Sequence, residues 1–273
     1  MTGWRILTRL LAGFALIFLI APLLVIIPLS FNAEPFFTFT DAMLAFEPAG
    51  YSLRWYEAIF NDPVWSQAVV NSLIIGLCAT AIATVLGTLA AMGLARGSVP
   101  FKGAIMGLII SPMITPIVIA AAGMYFFYSD MGLTQSHLGL ILAHATLGAP
   151  FVVITVTAAL TGYDWNLTRA GASLGAPPVT TFFRVTLPLI LPGVISGALF
   201  AFATSFDEVV TVLFLGGPEQ VTVPRKMWSG IREQISPAIL AAATLLILVA
   251  MLLLICVEWL RRRGERMKVS SSA

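Results

Sequence analysis

Apolar residues gather in six long blocks along the chain. They lie at about Leu10–Phe31, Val69–Ala95, Gly103–Tyr128, Leu138–Thr161, Leu187–Ser205 and Ala238–Leu260. Each is close to the roughly 20 residues that a helix needs to cross about 30 Å of hydrocarbon. The pattern predicts an all-α membrane protein with six transmembrane helices, built as a single transmembrane domain over residues 1–273. The fifth block is the weakest, because Pro188 and Pro192 interrupt its start. The first is preceded by Arg5 and Arg9, as a signal peptide would be. Its apolar stretch exceeds a signal h-region and no small-residue cleavage site follows, so it reads as a retained span.

Composition and charge sharpen this picture. The 273 residues are 59% hydrophobic and 10% charged, against roughly 45–50% and 25% in soluble domains. A soluble enzyme, a disordered chain and a disulfide scaffold are excluded. Net charge is +2, too small to imply nucleic acid, so the positive charges are read as topology. Six spans put both termini on one side. That side carries eleven basic residues: Arg5, Arg9, Arg96, Lys102, Arg169, Arg184, Arg261, Arg262, Arg263, Arg266 and Lys268. The other carries four, Arg54, Arg225, Lys226 and Arg232. Both termini are therefore expected in the cytoplasm. The outer loop from Asn32 to Gln67 holds Glu34, Asp41, Glu47, Glu57 and Asp62. It either attracts a cation or basic partner surface or is a solvated loop. Cys78 and Cys256 sit inside apolar blocks and read as small hydrophobes.

The most patterned polar stretch is Gly162–Pro188. Asp164 or Asn166 can cap a short helix. Trp165, Leu167, Ala170 and Leu174 follow at three- and four-residue spacing. Gly175 serves as a stop, and Pro178 suits the first turn of a second short helix. Phe182 and Phe183 give that helix an apolar face, and Pro188 bounds the approach to span five. The expectation is two short cytoplasmic helices joined at a glycine. Such a pair either docks in a groove on a soluble partner or lies on lipid.

The register Arg169-Ala170-Gly171, three residues, Gly175, nine residues, Val185-Thr186-Leu187-Pro188 resembles a known pattern. It is similar to the E-A-A-x3-G-x9-I-x-L-P signature of inner-membrane permeases of binding-protein-dependent ABC importers, the MetI-like family. Arg169 stands where the family has Glu, and Gly171 where it has the second Ala. Ser52-Leu53-Arg54-Trp55-Tyr56, Ser205-Phe206-Asp207-Glu208-Val209-Val210 and Ser236-Pro237 resemble the spermidine/putrescine, PotC-like, branch.

The resemblance implies a multi-pass permease of the bacterial cytoplasmic (inner) membrane. It would move a small, cationic solute, a polyamine or related amine, inward by ATP-driven alternating access. The implied partners are a second, homologous permease subunit, two copies of a cytoplasmic ATPase and a periplasmic or extracellular solute-binding protein. The loop with Arg169, Ala170, Gly171, Gly175, Ala176, Leu187 and Pro188 would be the coupling element seated on an ATPase. ATP and magnesium would belong to the ATPase, with no cofactor in this chain.

The residues agree in what they lack. There is no G-x4-G-K-[ST] phosphate loop, no metal-spaced His/Cys/carboxylate cluster and no catalytic triad; His144 reads as a hydrogen-bonded packing residue. Asp207 and Glu208, between apolar runs, either line the pathway and attract a cation or cap a re-entrant segment or pair with Arg225, Lys226 or Arg232. Adjacent helical residues point about 100° apart, so at most one of the two faces the pore, and Asp207 is taken as that one. Trp55 either holds an ammonium through its ring face or anchors the membrane boundary. The resemblance to polyamine permeases implies an acidic residue shortly after Ser-Pro in span three; here Ser111-Pro112 is followed by Met113, with no carboxylate in that span, which leaves a smaller amine, an opine-like compound or another quaternary or zwitterionic solute open. Gly103-x3-Gly107 and Gly193-x3-Gly197 are candidate close-packing faces. Pro112, Pro116, Pro188 and Pro192 are expected to break spans three and five, which would then line the route. A self-sufficient secondary carrier and a non-transporting scaffold or assembly protein are the rival readings.

Overall fold

The structure, a computed structural model, describes residues 2–95, 99–233, 236–252 and 255. Among these, helices account for nearly all regular structure, no strand forms, and one isolated antiparallel bridge joins Asn32 and Tyr51. Residues up to 66 together with 226–252 form one compact unit, and residues 67–225 the body of another.

In the first unit, α1 (Thr2–Leu29) runs 28 residues, about 42 Å at 1.5 Å per residue. Its aliphatic and aromatic side chains, Leu10, Phe14, Ile17 and Leu24 among them, face outward, as a lipid-facing helix requires. The chain then turns on Asn32, which is fully buried. Its amide donates to the carbonyls of Phe36 and Thr38, both at 2.9 Å, and its Oδ1 accepts the Glu34 N–H. Short helices α2 (Asp41–Leu44) and α3 (Arg54–Asn61) follow. The later part of α12 (Val223–Glu233) and α13 (Ala238–Leu252) complete the unit. Arg96, Cys256, Arg261, Arg262, Arg263, Arg266, Lys268 and the end of the sixth block lie outside the described residues.

The second unit is built on α4 (Pro63–Ala95), α5 (Lys102–Ile114), α6 (Ile117–Asp130) and α7 (His137–Thr161). After these come α8 (Trp165–Ser173), α9 (Pro178–Thr181), α10 (Leu187–Asp207) and α11 (Val210–Leu215). Its core sits where α4, α7 and α10 meet, around Val152, Val156, Leu160, Ile190 and Ala201. Val152 is fully buried between two glycines. A Cβ on Gly87 would stand 2.8 Å from Val152 Cβ, and one on Gly197 would stand 2.7 Å from Val152 Cα. Gly193 likewise faces Ala159 Cβ at 2.7 Å. The Gly193-x3-Gly197 face is thus consumed inside the chain. A Cβ on Gly103 or Gly107 would meet nothing within 4 Å among the described residues. Cys78 is free and exposed on α4.

Among the described residues, four helices are long and apolar enough to cross a membrane, and a fifth span forms if the bent pair α5 and α6 is counted as one. That pair turns by 104° between Ile114 and Ile117. Pro116 sits at the turn, where its preference for an extended predecessor and its missing N–H end α5. Pro112 is carried inside α5 without ending it.

Span five departs from expectation. The helix does not start at Leu187; it runs unbroken from Pro178 to Asp207, 30 residues. The second short helix expected before Pro188 is therefore its first turns, and neither Pro188 nor Pro192 breaks it. Pro192 is carried inside α10; at Pro188 the reason is a π turn at Phe182–Thr186, between α9 and α10. In a π turn the hydrogen bonds run five residues apart, so a proline just after it removes no i→i−4 bond that the helix was using.

Candidate functional site

The segment that leaves α7 for α10 is tightly built. Asp164 is the cap of α8: its Oδ1 accepts the Asn166 N–H at 2.9 Å. The other end closes with two reciprocal bonds. The Gly175 N–H donates to Ala172 O at 3.0 Å and the Ala176 N–H to Gly171 O at 3.1 Å, the six-to-one and five-to-two pairing of a Schellman motif. Gly175 holds φ at +80°, a conformation that costs other residues about 1–2 kcal/mol. The turn leaves Leu174 as its tip, 88% exposed.

The chain then reverses against α8. A Cβ on Gly171 would lie 3.2 Å from the Thr181 side chain. The Gly in place of the pattern's second Ala thus lets α8 approach α9 closely. Arg169 is exposed, and among the described residues its guanidinium reaches only Asn166 Oδ1, at 3.5 Å. Ala170 is exposed on the same short helix, and Ala176 is half-buried beyond its end. Leu187 packs onto the α4–α7–α10 core, and Pro188 is exposed in the first turn of α10. A cavity of about 250 Å³ lies behind α8, lined by Met92, Trp165, Thr168, Ala172, Phe182 and Thr186, among others.

Tyr163 joins these pieces. Its Oη lies 2.6 Å from Thr168 Oγ1 and 3.1 Å from Thr186 Oγ1. Its ring meets Trp165 edge-on, centroids 5.1 Å apart. Nothing in the sequence pattern singles out this tyrosine or these threonines. Only the reversal of the chain brings residues 163, 168 and 186 together.

The acidic pair splits into two environments. Asp207 is the last residue of α10 and is exposed. Glu208 turns back on the next helix, its Oε1 accepting the Thr211 N–H at 2.8 Å in the first turn of α11. Arg225 donates to Gly217 O at 2.8 Å, and burial lowers its pKa from the ordinary arginine value. Trp55 belongs to the other unit. Its Nε1 donates to Asn32 O at 2.8 Å, and the Arg54 guanidinium already sits over its ring, 4.2 Å from the centroid.

A second polar knot pins the segment after α11. Asn71, fully buried, donates to the carbonyls of Glu219 and Val221 at 2.8 and 2.9 Å. With its amide so oriented, Oδ1 is the acceptor for His137 Nε2 at 3.0 Å, so His137 carries its proton there. His144 is buried in α7 with Nδ1 2.8 Å from Ser205 Oγ. Ser136 is the cap of α7. Among the described residues no group of three or more His, Cys, Asp or Glu is placed to hold a metal.

Comparison with known proteins places the chain in a family. Residues 83–266 match the model of the "Binding-protein-dependent transport system inner membrane component" family. The spermidine/putrescine transport system permease protein PotC of Haemophilus influenzae is 30% identical over 91% of this chain and 93% of its own. The putrescine transport system permease protein PotI of Escherichia coli is 33% identical over 97% and 93%. A chain of the bacterial alginate ABC transporter, solved in complex with an alginate pentasaccharide-bound periplasmic protein, superposes with a TM-score of 0.71 at 18% identity. It covers 96% of this chain and 95% of that one, and shares the fold. The chain belongs to the family of inner-membrane components of binding-protein-dependent transport systems, and is a permease subunit of an ABC importer rather than an enzyme.

Proposed function

We propose that this permease carries a small organic cation of the polyamine class, or a related amine, into the cytoplasm by ATP-driven alternating access. It works with a homologous permease, two cytoplasmic ATPase subunits that hold ATP and magnesium, and an external solute-binding protein. The proposed topology is six spans in the bacterial inner membrane, both termini cytoplasmic, with the sixth span starting at Ala238.

The observation that carries the reading is the rigid reversal at Gly175. Leu174 is held out at its tip by a capped helix on one side and a 30-residue helix on the other. A push on that tip is delivered along the long helix rather than absorbed by a slack loop. Arg169, Ala170, Gly171, Gly175 and Ala176 form this contact, and Leu187 and Pro188 carry it into span five. The relatives named for polyamines support the solute class. So does Asp207, an exposed carboxylate at the far end of the same helix. Glu208, engaged with Thr211, and Trp55, already covered by Arg54, are proposed to shape the pathway rather than grip the amine. The bend between α5 and α6 supplies a second movable element.

The test is ATP hydrolysis by the assembled complex in lipid, with and without loaded binding protein, across a panel of amines. Stimulation by a diamine that Gly175→Arg abolishes supports the reading. Uptake that persists without the ATPase subunits would instead establish a secondary carrier. A chain that assembles with no ATPase and moves no solute would be a scaffold. Asp207→Asn is expected to raise the half-saturating amine concentration about two- to five-fold, the range of a partly solvated ion pair.

A further inference from the structure

Threonine hydroxyls in these helices either bond to their own backbone or, as at Thr80, Thr84, Thr88 and Thr157, have no hydrogen-bond partner among the described residues. Thr146, Thr155, Thr161 and Thr244 each donate to the carbonyl four residues earlier, at 2.8–3.0 Å. Thr168 and Thr186 do otherwise. Both meet the hydroxyl of Tyr163, at 2.6 and 3.1 Å. Tyr163 itself is 8% exposed, and its ring is fixed in the core with Val156, Leu160, Ile190 and Val194. One hydroxyl therefore joins three elements: the end of α7, the exposed helix α8, and the π turn that opens into α10.

The place of the third contact matters. Thr186 is the last residue of the π turn, directly before the Leu187-Pro188 start of α10. A π turn is a local excess of one residue, and such turns recur at functional positions in helices. It is the part of the long helix best able to absorb a displacement instead of passing it on. The cavity behind α8, bordered by Phe182 and Thr186, leaves room for that to happen. A bond from Thr186 to a ring anchored in the core closes off the escape.

We propose that the Tyr163 hydroxyl is a positioning group for energy coupling, holding α8, the end of α7 and the π turn together so that they move as one body. This rests on the reading of α8 and the Gly175 turn as the ATPase contact. Tyr163 touches neither solute nor nucleotide in this scheme; it acts through Thr168 and Thr186.

The experiment uses the assembled complex in liposomes. Spin labels are placed at Ser173→Cys and Ala203→Cys in a chain lacking Cys78 and Cys256, and their separation is read by pulsed electron resonance with and without ATP. The wild-type Tyr163 chain is expected to give one narrow distance distribution in both states. Tyr163→Phe keeps the ring and should broaden it. Uptake of radiolabelled putrescine per ATP hydrolysed should fall roughly three- to ten-fold, the effect of typical coupling mutations. Assembly and thermal midpoint should stay unchanged. Thr186→Val should reproduce the effect and Thr186→Ser restore it.

A distribution as narrow in Tyr163→Phe as in wild type overturns the proposal. So does a loss of coupling that only tracks a lowered thermal midpoint, which marks a merely structural bond. If Tyr163→Phe does not assemble, the same comparison on Thr186→Val decides. Failure of the ATPase reading looks different: the Tyr163 chain itself would bind no ATPase and would show no ATP hydrolysis to couple.

Discussion

One substitution, glycine to alanine, should have opposite effects at two positions that look alike in the sequence. Gly197 lies in α10 and Gly107 in α5, each the second member of a Gly-x3-Gly pair. A Cβ on Gly197 would stand 2.5 Å from Thr155 Oγ1 and 2.7 Å from Val152 Cα. Carbon atoms settle at about 3.5–4.0 Å, so α7 and α10 must part locally by roughly 1 Å. A gap of that size forfeits about a quarter to a half of each affected contact, and overpacked cores lose about 1–3 kcal/mol. Alanine returns up to about 1 kcal/mol of helix propensity. The net for Gly197→Ala is a loss of about 1 kcal/mol, and Gly197→Val, with a smaller propensity gain and more bulk, should lose about 3 kcal/mol. At Gly107 a Cβ meets nothing within 4 Å, so only the propensity gain remains. In the isolated subunit in detergent, the apparent melting temperature should fall for Gly197→Ala, fall further for Gly197→Val, and hold or rise for Gly107→Ala. An unchanged midpoint for Gly197→Val would refute the packing of α10 on α7 through Val152.

Three further substitutions probe other parts of the chain. Asn71→Ala strands the carbonyls of Glu219 and Val221 and the His137 N–H; at about 1–3 kcal/mol for each unsatisfied buried group, it should cost at least 2 kcal/mol. Limited proteolysis should then cut within Gly216–Thr222, and Asn71→Asp should be no better, because a carboxylate cannot donate to two carbonyls. Asp164→Ala removes the α8 cap and should cost about 1 kcal/mol, read as faster hydrogen exchange of the Asn166 amide, with Asp164→Asn close to wild type. Leu174→Asp should leave the isolated subunit within about 0.5 kcal/mol of wild type, as for most exposed substitutions. It should weaken ATPase co-purification by about ten-fold or more, the value of one buried leucine; retention of the ATPase would move the contact elsewhere on the chain.

The short helix α8 was legible because its signals are local. A capping carboxylate, an apolar spacing and a stop glycine lie within twelve residues, Asp164–Gly175, and each acts on the backbone beside it. The choice between Asp164 and Asn166 as cap was not legible, since either side chain can accept the bond. The acidic pair was legible only as a pair. That Glu208 would turn to the Thr211 amide while Asp207 stays exposed depends on the chain breaking after residue 207. Trp55 shows the same limit. Its ring is presented as a cation-binding face, but the neighbour that takes it is Arg54, one residue away. The two glycine pairs were indistinguishable because close packing depends on which helix arrives opposite them.

The prolines show why local rules alone misjudge a membrane helix. Pro116 and Pro188 each carry a missing N–H and a ring that clashes with the preceding turn. At Pro116 the chain bends by 104°; at Pro188 the helix continues without a break. What differs is the turn upstream. Before Pro188 the helix has already slipped into a π turn over Phe182–Thr186, so the carbonyl that the proline would have orphaned is not waiting for it. That slip has its own cost, because the π turn rotates the side chains after it by about one residue's 100° relative to those before it. Thr186 is placed by that rotation within reach of Tyr163, whose hydroxyl lies 3.1 Å away. The Leu-Pro end of the pattern and the hydroxyl link are thus one construction. The proline favours a π turn, the turn aims the threonine, and the tyrosine holds it. Replacing Pro188 by alanine restores the ordinary helical bond and removes the reason for the slip. Thr186 should then turn away from Tyr163, and Pro188→Ala should lower uptake per ATP as Tyr163→Phe does while leaving the helix itself at least as stable.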